Sequence, residues 1–216
     1  GEIFFFAGSA DGAFEESVTL QDESGEAINV GSASAVALHD WDDDGDLDLL
    51  VGVIEGDVKF LPNLGGSGLP KFGKAQVVKV AGDPVKMSGD AGPVVADWDG
   101  DGMDDLICGD GNGAVMLFRA TGRNNKNLPV LAAGVELIPA VSSTDRTAAY
   151  ENPVNDPDGK LAKRSGDRTK VCVTDWNGDG RLDLLVGDFA SSAAAAPELT
   201  DEDIAERDQL RDQQAQ

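Results

Sequence analysis

Asp40-Trp41-Asp42-Asp43-Asp44-Gly45-Asp46-Leu47-Asp48-Leu49-Leu50-Val51-Gly52 is the stretch on which the reading of this chain turns. It recurs as Asp97-Trp98-Asp99-Gly100-Asp101-Gly102-Met103-Asp104-Asp105-Leu106-Ile107-Cys108-Gly109, and again as Asp175-Trp176-Asn177-Gly178-Asp179-Gly180-Arg181-Leu182-Asp183-Leu184-Leu185-Val186-Gly187. Each copy is a D-W-[DN]-x-D-G-x-x-D loop that runs into a short apolar segment ended by glycine. Oxygen-bearing side chains at the first, third and fifth positions, a glycine at the sixth and a carboxylate at the ninth form a cage for a hard cation. Calcium accepts six to eight oxygens at flexible geometry, and the glycine permits the sharp turn that wraps the loop around it.

Acidic, glycine-containing loops also occur as plain solvated turns. Three copies with tryptophan at one place and the same apolar exit argue against that reading. The EF-hand loop begins in the same way, but it requires a bidentate acid at position twelve and a helix on each side. Position twelve here is Val51, Cys108 and Val186, and each exit has strand character.

The composition agrees with a turn-rich β protein: 27 of the 216 residues are glycine, and 40 acidic residues face 17 basic ones for a net charge of −23. Three calcium ions would leave the chain strongly acidic. Such a surface disfavours nucleic acid and anionic membranes, which both need basic patches. No stretch is long or apolar enough to span a membrane. Gly1-Glu2-Ile3-Phe4-Phe5-Phe6 lacks the basic region of a signal peptide, and without an initiator Met the chain reads as processed or cut from something longer. Cys108 and Cys172 are too few for a disulfide framework and read as small buried hydrophobes; a mutual disulfide and a reactive thiol are the alternatives.

The motifs begin at 40, 97 and 175, spacings of 57 and 78. A second landmark, G-x-φ-x-φ-φ, occurs at Gly1–Phe6, Gly56–Leu61 and Gly113–Phe118, at spacings of 55 and 57. The repeat is therefore about 57 residues, with an insertion of about 20 in the third interval. Within one repeat the pattern predicts four strands: Ala35 to Leu38, Leu47 to Val51, Asp57 to Leu61 and Ala75 to Val80. Four antiparallel strands repeating at this period are the mark of propeller blades.

With these residues in place, the motif and its G-x-φ-x-φ-φ follower resemble the FG-GAP/VCBS repeats of calcium-binding β-propellers, among them the blades of integrin α-subunit heads. The resemblance covers roughly residues 1 to 189. It implies an all-β propeller with up to three Ca2+, one in each loop joining the first two strands of a blade. By position, the first ion would take the side chains of Asp40, Asp42, Asp44 and Asp48 and the Asp46 carbonyl. The second would take Asp97, Asp99, Asp101 and Asp105 with the Met103 carbonyl. The third would take Asp175, Asn177, Asp179 and Asp183 with the Arg181 carbonyl, and the neutral Asn177 oxygen predicts weaker binding there. The carboxylates of each loop repel one another without a cation, so metal binding would become folding free energy. Trp41, Trp98 and Trp176 are expected between blades, with ligand stacking as the alternative. His39, where the other copies have Ala96 and Thr174, reads as an incidental strand-end residue.

The expected organisation is a half blade over 1–34, blades over 35–90 and 91–141, a polar insertion over 142–170, a half blade over 171–190, and an Ala-rich linker and exposed helix over 191–216. The helix, capped by Thr200, would run to about Gln214. Two blades and two halves form an arc of about three blades, short of the four to eight of a closed ring. The missing strands are expected from a longer parent chain, or from a second copy sharing blades. The functional expectation is a non-catalytic, calcium-stabilised module for protein or carbohydrate recognition or adhesion, placed outside the cell, at its surface or in the periplasm, where calcium reaches millimolar levels. A scaffold subunit of a larger extracellular assembly, and a propeller lyase or hydrolase with its site in the central channel, are the rivals. With one histidine and no G-x-S-x-G motif, nothing marks a nucleophile triad.

Overall fold

The computed structural model describes residues 1–32, 35–65, 70–140 and 166–189. The predicted C-terminal helix and residues 142–165 of the predicted insertion lie outside the described residues. Among the described residues every regular element is a strand, and no helix is long and apolar enough to cross a membrane.

Two four-stranded antiparallel sheets follow the repeat. The first comprises β3 (Ala35–His39), β4 (Asp48–Gly52), β5 (Val58–Leu61) and β6 (Gln76–Val77), neighbours in that order. The second comprises β9 (Gly92–Ala96), β10 (Asp105–Gly109), β11 (Val115–Phe118) and β14 (Val135–Ile138), with β10 and β11 central. They are flanked by two hairpins, β1 (Phe4–Phe5) with β2 (Val18–Thr19), and β15 (Asp167–Thr174) with β16 (Asp183–Phe189). Sequence placed 167–170 in the polar insertion, but β15 already begins at Asp167, where Lys170 stands opposite Gly187. The result is an incomplete, propeller-like array in which, among the described residues, no sheet closes on itself.

The apolar runs are continuous because the central strands are covered on both faces. Successive side chains of a strand point to opposite sides. In β4, Leu50 enters the core shared with the following blade, beside Trp41, Phe60, Leu106 and Cys108. Its neighbours Leu49 and Val51 enter the core shared with the N-terminal hairpin, beside Ile3, Ile28 and Phe72. β10 repeats this: Leu106 and Cys108 face the first blade, whereas Ile107 joins Val115 and Leu117 against Val171, Val173 and Leu184 of the last hairpin. Each such fully buried aliphatic side chain contributes about 1.5–3 kcal/mol. A strand run that reads L-L-V or L-I-C is therefore the signature of a sheet sandwiched between two others.

Three expectations are corrected by what covers each position. Cys172, expected to be buried, is exposed on β15, because only one face of the β15–β16 hairpin meets the preceding blade. Trp41 is buried and Trp98 half-buried between blades, but Trp176 is 74% exposed, since no further blade packs over the third loop among the described residues. The predicted single strand Ala75 to Val80 breaks at Val78. Its N–H donates to the Val58 carbonyl of the blade, while its carbonyl accepts from Val85. From there β7 (Lys79–Val80) leaves for a second layer.

That layer was not foreseen. It orders β12 (Ala120–Arg123), β13 (Pro129–Leu131), β7 and β8 (Asp83–Pro84), with Leu131 paired in parallel to Val80. A hairpin from the second blade is thereby sewn to the end of the first.

Candidate metal centre

The first loop joins β3 to β4 and folds around its own carboxylates. Asp40 accepts from the backbone N–H of Asp44 and Gly45, both at 3.0 Å, and Asp44 accepts from that of Asp46 at 3.0 Å. Gly45, at φ 96°, supplies the turn that an L side chain resists. Asp48 closes the loop from beneath. It is fully buried, with one oxygen accepting from Trp41 N–H at 2.9 Å and the other from Asn63 N–H at 2.7 Å. Asp40, Asp42 and Asp48 each present an oxygen within 4.8 Å of the others.

Electrostatics in this trio are unfavourable without a counter-charge. Burial, and then the charges of Asp48, Asp44 and Asp40, push the Asp42 carboxyl up to about 6. Burial also raises Asp48, against the hydrogen bonds it accepts from Asn63 and Trp41. Asp42 Oδ1 is buried and has no hydrogen-bond partner. A buried carboxylate oxygen left unsatisfied is costly, and a bound cation removes the cost.

The second loop repeats the construction. Asp97 accepts from Asp101 and Gly102 N–H at 3.0 and 2.9 Å, and Asp101 accepts from Met103 N–H at 2.9 Å. Asp105 accepts from Trp98 N–H at 3.1 Å and from Ala120 N–H at 2.8 Å, and burial raises its carboxyl. Here the oxygens that converge within 4.8 Å belong to Asp97, Asp99 and Asp101. Asp99 is also held by Arg119 at 3.0 Å.

The third loop has the same backbone pattern with a looser charge set. Asp175 accepts from Gly178, Asp179 and Gly180, and Asp183 from Trp176 at 2.9 Å. Hydrogen bonds from backbone N–H groups, that of Gly180 foremost, hold Asp175 below the usual carboxylate range. Arg181 does the same for Asp179, which it bridges at 2.9 Å. Among the described residues this loop gathers no trio of carboxylates comparable to the other two.

Of the proposed side-chain ligands, the structure thus brings together Asp40, Asp42 and Asp48, and Asp97, Asp99 and Asp101. Asp44 and Asp105 stand outside those trios, and Asp175, Asn177, Asp179 and Asp183 form none. Asp46, Met103 and Arg181 each dock their N–H on the fifth-position acid of their loop. The two trios offer only carboxylate oxygen, a donor set suited to a hard divalent cation and not to a thiophilic one.

His39 is not incidental. Its Nε2 lies 2.8 Å from Asp104 Oδ2, tying β3 to the loop of the next blade. Arg123 and Asn127 were also missed. Arg123 Nη1 donates to the Trp41 carbonyl at 3.0 Å, and Asn127 Nδ2 donates to the Asp42 carbonyl at 2.6 Å. Both come from the β12–β13 hairpin, more than 80 residues away, and no sequence pattern marks them.

No curated protein matches the chain. Residues 40–108 match the family model described as an FG-GAP-like repeat. The match starts on the first carboxylate of loop one and ends in β10, behind loop two. With the loop-to-strand geometry it spans, this match makes residues 40–108 similar to an FG-GAP-like repeat.

Proposed function

We propose that the chain is a calcium-stabilised, non-catalytic recognition module that works outside the cell or in the periplasm on a protein or carbohydrate partner. The observation that carries the metal reading is the Asp40–Asp42–Asp48 trio, with a buried and unpartnered oxygen on Asp42. Asp40, Asp42, Asp44 and Asp48 with the Asp46 carbonyl would hold the first ion. Asp97, Asp99, Asp101 and Asp105 with the Met103 carbonyl would hold the second, and Asp175, Asn177, Asp179 and Asp183 with the Arg181 carbonyl the third. When bound, calcium supplies positive charge and structural cross-linking, not a reactive water.

The chain's residues do the rest. Asp48 and Asp105 anchor each loop to the strand pair behind it, through Asn63 and Ala120. The single imidazole, His39, is engaged with Asp104 in tying β3 to the loop of the next blade. FG-GAP-like repeats are typically found in recognition domains outside the cytosol, which supports the placement.

The test is calcium titration by calorimetry on chelator-stripped protein, with a thermal melt at each end-point. The reading predicts that loops one and two fill before loop three, with a marked rise in melting temperature. No heat and no shift would reduce the loops to solvated turns.

A further inference from the structure

Beside the first loop lies a cleft of about 560 Å³, within the roughly 300–1,000 Å³ typical of small-ligand sites. One wall is the end of the first blade, with Gln76 and Lys79. The other is the turn of the β12–β13 hairpin, with Asn125 and Lys126. Trp41 and Phe60 lie in the floor.

We propose that this cleft binds an acidic saccharide, a sugar carrying a carboxylate or sulfate, and that the first cation loop governs its shape. The proposal rests on the recognition module described above and names its ligand. Three observations carry it. First, in a chain of net charge −23 the cleft is lined by two lysines and no acid, Lys79 from the first blade and Lys126 from the hairpin turn, and neither lysine forms an ion pair among the described residues. Such a local reversal of sign favours an anionic guest. Secondly, side-chain amides stand on both walls. Each amide both donates and accepts, which matches the vicinal hydroxyls of a sugar. Thirdly, the hairpin wall is tethered to the cation loop through Arg123 to the Trp41 carbonyl and Asn127 to the Asp42 carbonyl. Asp42 is also a member of the carboxylate trio. A cation that fixes Asp42 therefore fixes the far wall, and the ligand gains affinity from that pre-organisation.

The experiment uses the whole chain at fixed free calcium, titrated with a glucuronate-containing trisaccharide, a sulfated disaccharide, uncharged maltotriose and hexaglutamate. Calcium binding is measured on the same samples. At least one acidic sugar should bind, maltotriose and hexaglutamate should not, and the sugar that binds identifies the acid. Lys79→Ala with Lys126→Ala should weaken binding tenfold or more at unchanged melting temperature. Asn127→Gly, which keeps the φ of 59° at this turn, should leave calcium binding intact and weaken the sugar at least threefold. Equal binding of maltotriose or hexaglutamate, or retention of affinity in the lysine double variant, overturns the proposal. Calcium heat without acidic-sugar binding overturns it while leaving the metal reading in place. Loss of calcium heat itself sinks the metal reading and, with it, the coupling.

Discussion

A Cβ on Gly52 would stand 2.2 Å from the Ala91 carbonyl oxygen, so the end of one blade's second strand admits the next blade only because no side chain is there. Gly109 repeats the relationship one blade on, at 2.3 Å from the Thr169 carbonyl oxygen. At Gly187 the nearest atom is 4.0 Å away and lies in its own hairpin. Gly52→Ala and Gly109→Ala should each cost about 1–3 kcal/mol or more, because backbone and not a flexible side chain must give way. Gly187→Ala should stay within about 0.5 kcal/mol. Thermal melts of the three variants decide it; equal effects at all three glycines would refute the inter-blade role.

The acid cluster gives a pH dependence of unusual sign. Asp42 has a folded-state value of about 6, above its ordinary value of 3.8. Between those values the folded chain binds more protons than the unfolded one, so stability is highest below the window and declines as pH rises through it. Chelator-stripped protein should therefore melt higher at pH 5 than at pH 7. Calcium should abolish that difference, and Asp42→Asn should flatten it without metal. A melting temperature that rises with pH across this window would show that Asp42 does not dominate.

The tryptophans should separate by environment. Trp41→Ala removes a ring that is 3% exposed and should cost about 3–5 kcal/mol. Trp176→Ala should cost less than about 0.5 kcal/mol, as an exposed substitution does. A soluble quencher should reach Trp176 first, so the wild-type chain and Trp176→Phe should differ sharply in quenching. Indistinguishable quenching curves would place Trp176 under cover.

Thiol chemistry should divide the cysteines in the same way. Burial pushes the Cys108 thiol up to about 12, while Cys172 is exposed. A thiol reagent should modify one cysteine per folded chain and both in denaturant. Cys172→Ser should remove the native-state reaction.

Much of this architecture was legible because it repeats. The D-W-[DN]-x-D-G-x-x-D copies announced the loops, and the short apolar exits ended by glycine announced β4, β10 and β16. The side chains that join blades were not legible. His39 meets Asp104 across 65 positions, and Arg123 and Asn127 reach back more than 80, so only the fold brings them together. The exposure of Cys172 and Trp176 was hidden for a related reason. A strand's alternation says which residues share a face, but not whether anything lies against that face. Val78 failed differently: its apolar run continues smoothly through the point where the chain changes sheets.

The β12–β13 hairpin changes how the array should come apart. Repeats that touch only their neighbours behave as a one-dimensional chain of weakly coupled units. By pairing Leu131 with Val80, and by holding two carbonyls of the first loop, the hairpin makes the first two blades a single cooperative unit. β15 is tied to the second blade through the Thr169 N–H on the Asp110 carbonyl and Lys170 on Asp90, but β16 pairs with β15 alone among the described residues. Amide protons of β16 should therefore exchange first, and those of β4 and β10 last and together.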